Sequence, residues 1–116
     1  MTQESPKLSL RIDFPNGLRF GPGKAALLEG LLDTGSINAA ARQLHMSYPR
    51  ALKLIEQMNE TFSEPIVETQ TGGADGGGAQ VTDMGRLVLS LYKEICSGAN
   101  KNNHASLEAF NRFLKK

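Results

Sequence analysis

The chain has 116 residues, 40% of them hydrophobic, and its 13 Lys and Arg residues nearly balance its 12 Asp and Glu residues. This length supports one domain with a modest core, and the formal net charge of +1 means that any contact with nucleic acid depends on local clusters of cations. The single cysteine, Cys96, excludes an internal disulfide. Because the sequence shows neither a signal-peptide pattern nor an apolar run of about 20 residues, we expect a cytoplasmic protein that does not cross a membrane.

The N-terminal segment predicts a strand and a hairpin turn. Apolar and polar residues alternate from Lys7 to Phe14, which is the period of a half-buried strand. The tripeptide Pro15-Asn16-Gly17 follows, and Asn-Gly is favoured in tight hairpins because both residues accept a positive φ. Leu18 to Phe20 is then expected to return as a short partner strand.

A first helix is predicted from Lys24 to Thr34, where leucines recur at helical spacing. Gly35 follows it as a left-handed C-cap. Gly30 lies inside this helix and costs about 1 kcal/mol relative to Ala. A close crossing with another helix is the expected reason for a glycine at that position.

Residues 35–56 predict a helix-turn-helix motif. Ser36 can cap a first short helix that runs through Leu44, and Ser47 can cap a second, because a serine hydroxyl accepts a hydrogen bond from an amide of the first helical turn. The alanines at positions 40 and 41 permit two crossing helices to approach closely. His45 occupies the turn, where a left-handed backbone is expected and His is among the tolerated residue types.

The second helix of this motif presents a polar face that begins with cations. Arg50, Lys53, Gln57 and Glu60 recur at three- and four-residue steps opposite the apolar stripe. A recognition helix offers its N-terminal residues to base edges, and its positive end favours nearby phosphates, so this face suits DNA. An ordinary helical hairpin explains the same spacing, and the pattern alone leaves both interpretations open.

A second hairpin is predicted after this motif. Pro65 ends the helical region, Ile66 to Thr69 begins a strand, and Gln80 to Thr82 can pair with it across a glycine-rich stretch. A helix-turn-helix followed by such a hairpin is the winged-helix arrangement, in which the tip lies along the DNA backbone or minor groove. The glycines lack the Gly-Lys-Ser/Thr ending of a nucleotide-binding loop, which favours a wing or a plain loop.

Two helices are predicted at the C-terminal end. The first is capped by Thr82 and runs from Asp83 to about Ser97. Four of its residues are expected to face the core: Leu87, Val88, Leu91 and Ile95.

A polar break at residues 98–104 precedes the last helix, which is expected to run through Lys116. Its apolar stripe consists of Leu107, Phe110, Phe113 and Leu114. The stripe needs a partner, because an isolated helix of this length is marginal in water. It can fold back on its own domain or pair with another subunit, and we predict that it is the dimerisation element.

No catalytic or metal-binding set is found in the sequence. His45 and His104 are far apart and have no Cys or His partner at metal-ligand spacing. Glu56 and Glu60 lie one helical turn apart on an exposed face, which is typical of solvated surface. We therefore expect that the protein is not an enzyme and holds neither a metal nor another cofactor.

Several short sequence segments along the chain are distinctive. They are 19–29, 34–37 with 39–42, 46–48, 56–59, 65–69, and 71–73 with 76–79, which begin respectively at Arg19, Thr34, Met46, Glu56, Pro65 and Thr71. Together they resemble the N-terminal domain of the ModE-type molybdate-responsive transcription regulators, over Leu18 to about Ile95. The resemblance implies a mainly α fold with small β-hairpins (α+β), namely a winged helix-turn-helix of the kind also found in LysR-type regulators. It further implies a dimer that binds palindromic double-stranded DNA.

Two departures from this family affect what the resemblance implies. Family members carry C-terminal molybdate-binding domains, whereas small independent domains need roughly 40 residues and about 20 follow Ile95. No molybdate binding is therefore expected. The wing has Ala74-Asp75 where the family often has Lys or Arg, and a carboxylate that faces phosphate opposes DNA binding.

The sequence thus predicts three regions: an N-terminal strand and hairpin turn (1–17), a winged helix-turn-helix domain (18–97), and a linker with a C-terminal helix (98–116). The predicted DNA-contacting residues are Ser36, Ser47, Tyr48, Pro49, Arg50, Lys53, Gly73 and Gly76. The predicted function is a sequence-specific DNA-binding transcription regulator that acts as a homodimer. The alternative is a protein-interaction module with the same fold that has lost useful DNA affinity.

Overall fold

The computed structural model describes residues 5–70 and 78–115, which form five helices and two antiparallel two-stranded sheets. The elements in chain order are β1 (Ile12–Asp13), β2 (Arg19–Phe20), α1 (Pro22–Thr34), α2 (Ile37–Gln43), α3 (Tyr48–Thr61), β3 (Val67–Gln70), β4 (Gly78–Val81), α4 (Asp83–Asn102) and α5 (His104–Phe110). A helix-turn-helix followed by a hairpin confirms the predicted winged helix of the α+β class. None of the helices described is long and apolar enough to cross a membrane.

The first hairpin is shorter than the alternating pattern predicts. β1 pairs with β2 through Ile12 opposite Phe20 and Asp13 opposite Arg19, so the prediction of a strand from Lys7 onward is wrong. The alternation is nevertheless seen in the burial, because the apolar residues of this segment are half-buried and the intervening polar ones are exposed. Gly17 adopts a φ of 86°, but Asn16 does not have a positive φ, so the predicted tight turn with two such residues is wrong. The Asn16 side chain instead accepts a hydrogen bond from the Leu18 amide at 3.0 Å.

Residues 8–10 run along α4 and are held by side chains instead of a β-ladder. Asn100 Oδ1 accepts a hydrogen bond from the Leu8 amide at 2.7 Å, and Asn100 Nδ2 donates to the Leu8 carbonyl at 3.3 Å. Tyr92 Oη donates to the Leu10 carbonyl at 2.6 Å. Burial raises the pKa of Tyr92 to about 12, and Cys96 adds to this rise.

The helix-turn-helix forms as its capping residues predict. Ser36 Oγ accepts a hydrogen bond from the Ala39 amide, and Ser47 Oγ accepts one from the Arg50 amide, each at 3.2 Å. The predicted left-handed turn is confirmed by a φ of 55° at His45.

The crossing of α1 and α2 explains the glycine inside α1. A Cβ at Gly30 would lie 3.0 Å from the Cβ of Ala40, which is fully buried between the helices. Ala41 is also buried, so small side chains allow the close approach that the sequence predicts. Gly35 then ends α1 with a φ of 68°, as expected of a left-handed C-cap.

The first wing strand is anchored to α3 by the side chain of Asn59. β3 and β4 pair in antiparallel register with Val67 opposite Val81. Asn59 of α3 accepts hydrogen bonds from the amides of Ile66 and Val67 at 2.8 and 3.1 Å, and it donates to the Val67 carbonyl at 3.0 Å. These contacts fix the start of the wing relative to α3.

The apolar face of α4 corrects the prediction for this helix. Leu87, Leu91 and Ile95 are 52%, 50% and 50% exposed, so the expectation that they face the core is wrong. Leu89 and Tyr92 are buried instead, and the Tyr92 ring packs edge-to-face on Phe20 at 5.1 Å. The helix has apolar residues on two sides, and the spacing alone does not show which side meets the core.

The C-terminal region also differs from the prediction. α4 continues through Gly98 to Asn102, so no break begins at residue 98. The last helix, α5, ends at Phe110, which leaves Phe113 and Leu114 beyond it and corrects the prediction of a helix through Lys116. Leu107 is half-buried, whereas Phe110, Phe113 and Leu114 are exposed.

Candidate nucleic-acid interface

The exposed face of α3 carries the two cations that the sequence singles out. Arg50 and Lys53 are exposed on the first two turns of the helix, while Ala51, Leu54 and Ile55 on the opposite face are buried. The apolar stripe therefore holds α3 against the core and directs the cationic face to solvent. This is the geometry expected of a recognition helix.

Three predicted site residues next to Arg50 shape the start of α3. Ser47 lies just before the helix as its cap, and Pro49 is the second helical residue and exposed, where no amide is needed for an intrahelical bond. Tyr48 is half-buried and packs against the core, so part of its role is structural. Ser36 caps α2 and pairs through an isolated bridge with Gly78, which brings the start of α2 close to the wing.

Two predicted contacts, Gly73 and Gly76, lie outside the described residues, as does Asp75. What is described of the wing reaches Gln70 on β3 and Gly78 on β4. The Ala79 amide donates to the Gly35 carbonyl at 3.1 Å, and this hydrogen bond holds β4 beside the start of α2.

Beside α3 lies a group of cations that sequence reasoning missed as a site. A surface cavity of about 420 Å³ is lined by Arg50 and Lys53 of α3, by Arg19 at the end of the first hairpin and by Lys24 of α1. We call these four residues and the cavity between them the basic groove. A second cavity of about 340 Å³ continues it towards Arg11 and shares three of its cations.

Lys24 is the most buried member of the basic groove, with 7% of its surface exposed. Its Nζ donates to the Arg19 carbonyl at 2.6 Å, which joins the start of α1 to the hairpin. Burial, together with the neighbouring Arg19 charge, lowers the pKa of Lys24 below its usual value.

The charges at the helix starts add to the positive character of this surface. Lys24 and Arg50 each occupy the first turn of their helix, and neither α1 nor α3 has an acidic residue in that turn. Cations at the positive end of a helix are unfavourable unless an anion is near. A lysine in the first turn was the signal in the sequence that could have identified this site.

The described residues hold no group of three or more His, Cys, Asp and Glu side chains that could bind a metal ion. The chemistry that the basic groove and the α3 face offer is hydrogen bonding and charge pairing with anions.

Comparison with known proteins finds relatives among bacterial regulatory proteins. Residues 24–86 match the family described as bacterial regulatory helix-turn-helix protein, lysR family. The chain is 39% identical over 85 residues to the molybdenum-pterin-binding protein MopB of Rhodobacter capsulatus, covering 73% of this chain and 32% of MopB. It is 36% identical over 86 residues to the molybdenum transport protein ModE of Azotobacter vinelandii, covering 74% and 32%.

A further relative is the DNA-binding transcriptional dual regulator ModE of Escherichia coli K12, 37% identical over 71 residues, with 61% of this chain and 27% of that protein covered. The chain thus spans about a third of the length of the curated relatives it matches. The similarity to these relatives is consistent with the ModE-like N-terminal domain that the short sequence segments indicate. Since the family match covers more than half of its residues, the chain belongs to the lysR family of bacterial regulatory helix-turn-helix proteins.

Proposed function

We propose that the chain is a sequence-specific DNA-binding transcription regulator. The observation that carries this proposal is the capped helix-turn-helix whose second helix exposes Arg50 and Lys53 at its N-terminal end. Such a helix can enter the major groove and offer these side chains to base edges and phosphates. The activity is binding, not catalysis, and its place is the cytoplasm, where bacterial DNA lies.

The printed name of the Escherichia coli relative includes DNA binding and transcriptional regulation, which supports the same activity here. The remaining predicted contacts are Ser36, Ser47, Tyr48 and Pro49 at the helix starts and the wing glycines Gly73 and Gly76. Because the start of α2 lies beside β4, this part of the domain can meet a duplex together with the exposed face of α3.

The first test concerns Arg50. We expect Arg50→Ala to weaken binding to a duplex selected from genomic fragments by about 1–3 kcal/mol, because a bidentate contact from Arg to a base edge is lost. The measurement is a titration against the selected duplex and against a duplex of scrambled sequence. The loss should be larger for the selected duplex.

The control for Arg50→Ala is Lys101→Ala, which removes an exposed cation from the last turn of α4. Equal affinities of Arg50→Ala and the parent for the selected duplex would contradict the assignment of this face. If the parent itself shows no salt-dependent binding to any duplex, the proposed function is wrong and the alternative of a protein-interaction module is favoured.

We also propose that the protein acts as a homodimer on palindromic DNA, since a two-fold dimer matches two half-sites. Two sets of apolar residues, all exposed except the half-buried Leu107, support self-association. One is the stripe of Leu87, Leu91 and Ile95 on α4, and the other is the predicted C-terminal set of Leu107, Phe110, Phe113 and Leu114. An all-apolar cavity of about 230 Å³ adjoins the α4 stripe and could accept a partner's side chain.

Finally, we propose that the DNA affinity of this chain is independent of molybdate at matched ionic strength. An effector changes affinity only if it binds two states of the protein differently. The basic groove is open to solvent and lined by cations on long side chains, so it offers molybdate nothing that it does not offer another divalent oxyanion.

A further inference from the structure

We propose that the basic groove holds a phosphate of the DNA backbone next to the bases that α3 faces. This inference rests on the proposed DNA-binding function. It adds the first hairpin and the start of α1 to the contact surface, neither of which was among the predicted contacts.

The wall of the groove opposite α3 is held in place by contacts at the hairpin. Asn16 Nδ2 at the hairpin tip donates to the Thr61 carbonyl at the end of α3, at 3.2 Å. The rings of Phe14 and Phe62 pack edge-to-face with centroids 5.4 Å apart. The hairpin therefore lies alongside α3, and Arg19 is held on the same side as Arg50 and Lys53.

The groove carries a cluster of positive charge. Asp13 lies opposite Arg19 in the hairpin but forms its ion pair with Arg11. No Asp or Glu lines the cavity, and within residues 5–70 and 78–115 none of its four cations forms an ion pair. Arg11, at the far end, differs because it pairs with Asp13 at 2.8 Å. Because the whole chain has a net charge of only +1, this cluster is a local concentration of cations.

Lys24 has donors left for a ligand. An ammonium group has three N–H donors, and among the described residues one of them is used, towards the Arg19 carbonyl. Burying an ammonium is costly unless it is paired. An anion in the groove would complete its hydrogen bonding and offset that cost.

The openness of the groove favours a backbone phosphate over a small free anion. Three of its four cations, Arg19, Arg50 and Lys53, are exposed, and a duplex that reaches Arg50 and Lys53 would pass its backbone over the cavity. Phosphate contacts of this kind set the register of a protein on DNA and carry no sequence information.

The experiment measures the salt dependence of binding to a mixed-sequence duplex for the parent and for Arg19→Gln. Arg19 is exposed, and its side chain forms no ion pair among the described residues. The variant is therefore expected to fold. Losing one phosphate contact should make the slope of log K against log salt less negative by about 0.9. The affinities for selected and scrambled duplexes should fall by the same factor, unlike the result expected for Arg50→Ala.

Two further variants sharpen this test. Arg19→Lys keeps the charge and should restore most of the slope, and Lys101→Gln removes a cation outside the groove and should leave the slope unchanged. If the parent binds DNA and Arg19→Gln has the same slope as the parent, the phosphate site is overturned but the proposed function stands. No binding by the parent would instead overturn the proposed function.

A last arm separates the backbone from a free anion. Inorganic phosphate is titrated at constant ionic strength, and the amide signals of Arg19 and Lys24 are followed by NMR without DNA. Saturable shifts that Arg19→Gln abolishes, together with a parent-like DNA slope, would show a free-anion site and contradict the proposal.

Discussion

At Gly85, α4 lies close to the wing strands. It lies in the first turn of α4, three residues after the Thr82 cap. Thr82 Oγ1 accepts a hydrogen bond from the Gly85 amide at 3.0 Å and donates to the Pro65 carbonyl at 2.7 Å. A Cβ at position 85 would meet the Ile66 carbonyl oxygen and lie 2.7 Å from Val81 Cγ1. The glycine is therefore required by a close approach to backbone.

We expect Gly85→Ala to lower the free energy of unfolding by about 1–2 kcal/mol. Overpacking of this kind costs about 1–3 kcal/mol, and the better helix propensity of Ala recovers up to about 1 kcal/mol. Denaturant unfolding followed by circular dichroism measures the change.

Gly98 on the same helix is the matched control, because a Cβ there meets nothing within 4 Å. Gly98→Ala should stabilise the protein by about 0.5–1 kcal/mol, since only the helix-propensity gain remains. If the two variants were equally stable, the close approach at Gly85 would not limit the packing.

At the scale of elements, α4 has two tasks on two faces. Leu89 and Tyr92 pack on the core of the domain, while Leu87, Leu91 and Ile95 form an exposed stripe with a four-residue step. A stripe with this spacing is typical of a helix that packs on a second helix. The proposed dimer would cover it.

We expect Leu91→Glu to weaken self-association by about tenfold or more, which corresponds to 1.4 kcal/mol, because a two-fold interface buries the charge twice. Sedimentation at several protein concentrations measures this. Ser90→Glu is the control, because it puts the same charge next to Leu91 on a side of α4 that Arg86 and Lys93 also line.

Phe110→Glu distinguishes the two apolar sets in the same experiment. If only Phe110→Glu weakens the dimer, the C-terminal residues form the interface and the α4 stripe does not. A parent that stays monomeric at all concentrations would contradict the homodimer.

Local chemistry explains which elements the sequence predicts correctly. The caps at Ser36, Ser47 and Thr82, the left-handed Gly35 and the turn at His45 depend on neighbours within a few residues, and all are confirmed. The helix α3 itself is predicted correctly for the same reason.

Contacts between distant segments explain what the sequence does not predict. The basic groove exists because the first hairpin lies against α3, and this depends on contacts such as that between Asn16 and Thr61, 45 residues apart. The orientation of α4 likewise depends on the whole core, including Phe20.

At the scale of the whole molecule, the net charge is nearly neutral but the charges are unevenly distributed over the surface. Arg19, Lys24, Arg50 and Lys53 lie together around one cavity, so the field near this surface is stronger than the total of +1 suggests. A divalent oxyanion should therefore weaken DNA binding only through the ionic strength that it adds, whichever oxyanion it is.

This gives the expected result for molybdate. Operator titrations at matched ionic strength should give the same affinity with excess molybdate as with excess sulfate. Since selective coupling is a difference in binding free energy, a reproducible tenfold difference between the two anions, about 1.4 kcal/mol, would contradict the proposal.

The contact between Leu8 and Asn100 has a consequence for how the protein folds. It joins positions 92 residues apart, whereas α1, α2 and α3 follow one another along the chain. Loop-closure entropy rises with chain separation, by about 0.6 kcal/mol for each doubling, so this contact is expected to form after the helix-turn-helix. The same order in reverse makes the N-terminal segment a unit that can detach from α4 while α3 stays folded.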